Sequence, residues 1–267
     1  MKNNKLIFGI VLLLIMTFQI SKADELVFKG VYQGKDLFII NPMIDIGEEY
    51  CAYEILVNNI KYDDEIRSSA FKISLDFLNL KYGEEFEVVI KHRSDCTPKL
   101  VNPEVLKPLS TYEIINYELG YNDLLRFTTT NESGKLTFYV EEYRWNRWIE
   151  RGRIMGEGGP GNRNYSVKIY PFAGENKFRV YQIDHLGRRH YSEEFVFNID
   201  KEPVKVMTKL SKVGKEIVFS GLTAYAVVNE FGEELITGVG TSIDVSNLKK
   251  GQYFLNFENE YVVFKKK

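Results

Sequence analysis

Phe86-Glu87-Val88-Val89-Ile90-Lys91 decides how the rest of the chain reads. Phe86, Val88 and Ile90 alternate with Glu87 and Lys91, a period of two that turns one apolar face to a core and one charged face to water. Tyr82-Gly83-Glu84 supplies a turn just before this stretch. Beyond that turn, Phe71, Ile73 and Leu75 alternate with Lys72 and Ser74, so the same pattern recurs on the other side. Leu26 with Phe28, then Leu37 with Ile39, belong to short runs parted by Gln33-Gly34-Lys35. No long segment carries apolar residues at three- and four-residue intervals, the spacing of an amphipathic helix. The expected fold class is all-β, a tandem series of antiparallel β-sandwiches, because two packed sheets bury such faces most simply.

Cys51 and Cys96 are the chain's two cysteines. In a chain that reads as exported, an even count points to one disulfide. The loop it closes would stabilise the fold by about 4 kcal/mol on the chain-entropy view. Alternation is expected to set Cys51, Tyr53, Ile55 and Val57 on one face, with Ala52 and Glu54 on the other. Redox or metal chemistry by two free thiols would call for a Cys-x-x-Cys pair or clustered histidines, which the sequence lacks.

The first sandwich is expected over residues 24–107. Pro98, Pro103 and Pro108 then remove ladder donors and are expected to hold a stiff, extended connector. A second all-β segment follows over 108–199. Leu125 with Phe127, Phe138 with Val140, and Phe178 with Val180 mark strands in it. Gly156-Glu157-Gly158-Gly159-Pro160-Gly161 is read as a flexible loop, and not a phosphate cradle, because no lysine with serine or threonine follows it. The third segment, 200–267, is small for an independent core. Its strands are expected at 216–219, 224–229, 234–238 and 253–257, closed by 261–264, with turns at Phe231-Gly232 and Lys250-Gly251.

Residues 1–23 read as a secretory leader: Lys2 and Lys5 precede a short apolar core, and Ser21-Lys22-Ala23 offers a cleavage site after Ala23. The apolar run is shorter than the roughly 18 to 20 residues that cross a bilayer, so no transmembrane segment is expected in the mature chain. Hydrophobic residues make up 44% of the sequence, enough for a folded core. A formal net charge of −2 argues against a nucleic-acid partner held through phosphates.

Two resemblances rest on ordered series of residues. Leu125-Arg126-Phe127-Thr128-Thr129 with Glu132, Phe138-Tyr139-Val140-Glu141, Trp148, and 176–184 with Gly187 and Tyr191-Ser192 together resemble a fibronectin-like module. In Bacteroidetes surface proteins such a module often precedes a sorting domain. Phe231 and Gly232, then Ile243, Asp244, Leu248, Gly251 and Tyr253, followed by a basic end, look like the C-terminal sorting domain of type IX secretion cargo. The resemblance implies Ig/fibronectin-like sandwiches, export to the cell surface or outer membrane, and the type IX machinery or other outer-membrane proteins as partners. One departure stands out: 206–214 lacks the Pro-Asn-Pro-like opening usual in these domains. That tilts the reading towards a resident accessory that keeps its tail, with processed cargo or an adhesin as the alternative.

No catalytic constellation, metal site or cofactor site is read from the sequence. His92, His185 and His190 have no spacing suited to a metal. Asp63-Asp64-Glu65 lacks the pattern of a calcium loop. Arg144-Trp145-Asn146-Arg147-Trp148 is the one aromatic-cationic cluster, and it makes Trp145 and Trp148 candidate binding residues. A sugar-binding module or carbohydrate-active enzyme is the rival these two rings raise. The blander expectation is that Trp148 packs into the sandwich.

Overall fold

The computed structural model describes residues 24–44 and 49–267. The leader expected at 1–23 lies outside the described residues. The described chain is strands and short turns throughout. In the first segment, β1 (Asp24–Val31), β2 (Leu37–Ile40), β3 (Met43–Ile44), β4 (Glu49–Tyr50), β5 (Ala52–Val57), β6 (Ile60–Lys61), β7 (Ala70–Ile73), β8 (Glu85–His92) and β9 (Lys99–Leu100) follow in order. One antiparallel sheet runs β1-β8-β5-β6 and a second runs β7-β2-β9. Phe86, Val88 and Ile90 of β8 meet Leu37, Ile39, Ile55 and Ile73 in the core between them.

The alternation expected after Cys51 is broken. The pairing of β5 with β8 slips between Ala52 and Glu54, leaving Tyr53 as an extra residue with no partner. Ala52 therefore turns inward and Tyr53 is 46% exposed, while Ile55 and Val57 resume the core face. Cys51 is buried and bonded to Cys96, with Cα atoms 5.8 Å apart.

The proline-rich stretch is likewise not an extended connector. It contributes β9 and a helical turn, Pro103–Leu106, whose Val105 is buried in the first core. Apolar side chains between the prolines had a core within reach, and burial outweighed the stiffness of the prolines.

In the second segment β10 (Glu113–Gly120), β11 (Leu124–Thr130), β12 (Thr137–Arg144), β13 (Arg147–Met155), β14 (Arg163–Lys168), β15 (Gly174–Ile183), β16 (Arg189–Tyr191) and β17 (Phe195–Ile199) make two facing sheets. A three-stranded sheet, β10-β11-β14, opposes β13-β12-β15, with β16 and β17 both pairing to β15. This is a two-sheet antiparallel sandwich, the architecture that the fibronectin-like resemblance implies. Its core is aromatic: Phe138 lies edge-on to Phe127 at 5.5 Å and 5.1 Å from Tyr165.

The glycine-rich loop is tied down rather than free. Glu132, fully buried, accepts from Gly158 N at 2.8 Å and from Tyr165 Oη at 2.8 Å, and Thr129 Oγ1 also donates to it. Gly159 N bonds Glu132 O, Gly156 N bonds Leu136 O, and Glu157 N bonds Tyr165 Oη. Satisfying a buried carboxylate demands such donors, and the loop's bare N–H groups supply them.

The third segment is one sheet, β19-β18-β20-β21, made by β18 (Glu216–Val228), β19 (Glu234–Asp244), β20 (Gly251–Phe257) and β21 (Glu260–Lys266). The two strands expected at 216–219 and 224–229 are one: β18 bends through a register shift between Val218 and Thr223 and does not stop. Val206 bridges to Phe219 and Val213 to Lys266, so the chain before β18 folds back across the sheet and covers its core.

Candidate interaction surfaces

Each segment touches the next. Gly83, at φ +84, sits so close to the Glu132 carbonyl that a Cβ there would lie 2.3 Å from it, and Lys135 reaches Glu85 at 3.1 Å. A deeper junction joins the second segment to the third. Trp145 and Asn146 form the two-residue turn between β12 and β13, both at positive φ (54° and 60°). A tryptophan in that region needs outside support. Support comes from the turn between β20 and β21: Trp145 N donates to Asn259 Oδ1 at 3.1 Å, and its indole Nε1 donates to Glu258 O at 3.1 Å.

Beneath the turn, Arg144 is wholly buried. Its Nε also donates to Glu258 O, one Nη donates to Tyr170 O at 3.3 Å, and its Cζ lies 4.8 Å over Phe172. Burial pulls this guanidinium down to about 10, opposed by the charge of Glu142 and, to a lesser degree, Glu258. Glu142 is equally buried and takes Arg151 Nε at 2.6 Å. The Glu258 carboxylate accepts from Thr223 Oγ1 and from Ala173 N, both at 3.1 Å. Trp145 is therefore a fastening between segments, with its donors and part of its face already committed.

Trp148 does not pack into the sandwich. It stands half-buried on the outer face of β13, edge-on to Tyr143 at 5.3 Å and under the Arg179 guanidinium at 4.1 Å. The parity of the hairpin explains this: with both turn residues excluded, Trp148 pairs with Tyr143, a residue of the outer face. That face is a ladder. Arg179 lies between Trp148 and Tyr191 and bonds Glu141 at 2.8 Å. Tyr139 stacks on Tyr181 at 4.9 Å with 11° between planes, and Arg153 and Arg189 cover the two rings. Each of these rings thus has at least one side engaged by a neighbouring ring or guanidinium.

The seven sorting-like residues divide by what they touch. Ile243 is buried in the third core, Leu248 packs against it, and Tyr253 is buried with its hydroxyl donating to Lys249 O at 3.0 Å. Asp244 accepts Ser246 N at 2.8 Å at the end of β19; the Ser246 hydroxyl first, and then this backbone bond, hold its carboxyl below the usual range. Gly251 opens β20, just after the turn expected at Lys250-Gly251; that turn lies earlier, closed by Leu248 N to Val245 O. Phe231 and Gly232 form the tip of the β18–β19 hairpin, where Asn229 Oδ1 accepts from both Phe231 N and Glu233 N and Gly232 takes φ +83. Phe231 is 86% exposed.

The histidines lie apart and each bonds locally: His92 near Arg93 O, His185 to Pro108 O, His190 near Ser110 Oγ at 3.1 Å. The Ser110–His190 contact, joining residues far apart in the chain, carried no sequence signal. Ser110 Oγ donates to Gln182 Oε1 at 2.8 Å, so its proton is not directed at the imidazole. In the Asp63-Asp64-Glu65 run, Asp64 accepts Tyr62 Oη and Glu65 accepts Arg67 N. Among the described residues no group of three or more His, Cys, Asp or Glu side chains could hold a metal ion. Among the same residues no helix is long and apolar enough to cross a membrane.

The chain thus belongs, by its strands, to the class of antiparallel β-sandwich proteins. Nothing matches it among family models or among curated proteins. Among solved structures it is similar to a tetra-tandem repeat in the extending region of a large adhesion protein: 8% identity, TM-score 0.36, 92% of this chain and 73% of that one covered. It is similar also to fibronectin(III)-like modules of Clostridium thermocellum CbhA, with 13% identity, TM-score 0.21, and coverage of 58% and 92%. A third is a 1.5-MDa bacterial ice-binding adhesin, in a structure concerned with host cell surface retention; identity is 8%, TM-score 0.20, and coverage 91% and 89%. Scores this low carry no activity or partner over to this chain.

Proposed function

We propose that this is a non-enzymatic, exported β-sandwich protein of the cell envelope that works by protein–protein binding. Its C-terminal segment is the docking handle, and the type IX secretion machinery or another outer-membrane protein is the partner. The observation that carries the reading is the division within the sorting-like series. Ile243, Leu248 and Tyr253 hold the small sheet together, while Phe231 is offered to solvent on a rigid tip. Binding anchors are large side chains that a partner's pocket buries fully, and Phe231 is exposed enough to serve as one. The test is Phe231→Ala. Thermal stability is expected to stay within about 0.5 kcal/mol, as for an exposed side chain, while recovery of the protein in the envelope fraction falls. Unchanged envelope recovery would remove Phe231 from the handle.

The Trp145–Glu258 fastening favours a resident component over processed cargo. Removing 200–267 would strip Arg144 and Trp145 of the Glu258 carbonyl and expose the committed face of the indole.

A further inference from the structure

The second sandwich leaves one flank open. β10 is an edge strand, paired with β11 alone. Its ladder slips between Ile114 and Asn116, and the extra residue, Ile115, is 52% exposed. Opposite, the chain leaves the sheet between β16 and β17. Between the two flanks lies a cleft of about 740 Å³ whose lining includes Glu113, Ile115, Tyr117, Tyr191, Glu193 and Phe195. Tyr117 stacks on Phe195 at 4.4 Å and keeps 43% exposure, so the floor is apolar and reachable. The rim is acidic. Glu118 and Glu175 elsewhere on this module are taken by Arg126 and Lys177. Glu113, Glu193 and the neighbouring Glu194 are exposed and pair with no cation among the described residues.

We propose that this flank takes an extended cationic segment of another protein as an added β-strand. Three features converge on that occupant. The free edge of β10 offers backbone donors and acceptors in a row. Side chains on one face of an incoming strand would meet the Ile115–Tyr117–Phe195 floor. Those on the other face, if Lys or Arg, would meet the unpaired carboxylates. A second copy is a poorer occupant. This chain's own basic strand, β21, is closed at its lysine-rich end, where Val213 N bonds Lys265 O at 2.8 Å and Lys267 N bonds Val213 O at 3.0 Å. The proposal stands apart from the C-terminal handle, since every residue in it lies before residue 200.

The probe is a synthetic octapeptide alternating Lys and Val, titrated into the mature chain by calorimetry, with amide hydrogen exchange as the locator. The peptide is expected to bind and to slow exchange in β10. Glu113→Lys combined with Glu193→Lys is expected to weaken it about tenfold, an effect that fades at high salt. The same peptide with alternate amides N-methylated cannot form a ladder and is expected not to bind; this arm needs no variant to fold. Absence of binding by the unmethylated peptide, equal binding by the methylated one, or protection away from β10 overturns the proposal. So does a dimer in sedimentation that Glu113→Lys dissolves, because the occupant would then be a second copy.

Discussion

Arg144 is the residue on which the junction turns. Its guanidinium is buried with Glu142 close by and with three backbone or ring partners, so removing it takes one of two cations from a buried carboxylate, the other being Arg151, and leaves the Glu258 and Tyr170 carbonyls each a donor short. Breaking a buried pair from one side costs up to about 3–5 kcal/mol, an upper bound here because Arg151 stays. Arg144→Ala is expected to lower urea-denaturation stability by up to that amount, while Arg144→Lys, which keeps the charge but not the planar fork, restores part of it. A second residue-scale consequence is alkaline sensitivity. Burial raises Tyr62 to about 12 and pushes Tyr112 and Tyr165 up as well. Raised folded values mean that the stability these hydroxyls contribute is whole below pH 10.0, the ordinary tyrosine value, and is lost as pH rises through the folded values. Arg144, pulled down to about 10, runs the other way, since the unfolded chain holds that proton more tightly above this value. Three hydroxyls against one guanidinium leave a net loss. Melting temperature is expected to hold from neutrality to about pH 10 and then fall, with a shallower fall in Tyr62→Phe.

The strands themselves were legible wherever one face met a core. β8 alternates along its whole length, and its buried face is the one read from Phe86, Val88 and Ile90. What escaped the sequence was set by partners distant along the chain. Tyr53 faces out because β8 leaves one residue of β5 unmatched, which no local pattern records. Trp145 turns at positive φ because Glu258 and Asn259 hold it, and that in turn sends Trp148 to the outer face. The glycine-rich loop is ordered because a buried Glu132 needs its N–H groups. The cleft beside β10 had no signal, since an exposed Ile115 reads like any strand residue. At this scale the disulfide makes a separate prediction. Cys51 and Cys96 tie the start of β5 to the chain beyond β8, so Cys51→Ala with Cys96→Ala is expected to cost about 2–4 kcal/mol. Exchange protection should fall in the first core and hold in the third.

Across the molecule, three β cores are fastened end to end, by Gly83 against Glu132 at one joint and by Trp145 and Arg144 against Glu258 at the other. On the proposed function, this joint holds the last segment in place and the tail is expected to be retained. Trp145, which with Trp148 first invited a carbohydrate reading, is tied to Glu258, and Trp148 lies under Arg179; Phe231 and the β10 cleft are the surfaces proposed for protein binding. The measurement closest to this account is the intact mass of the mature protein recovered from its envelope fraction. A single species running from Asp24 to Lys267 and held in a membrane complex is the predicted result. A species ended near residue 200, found free of the envelope, would contradict it.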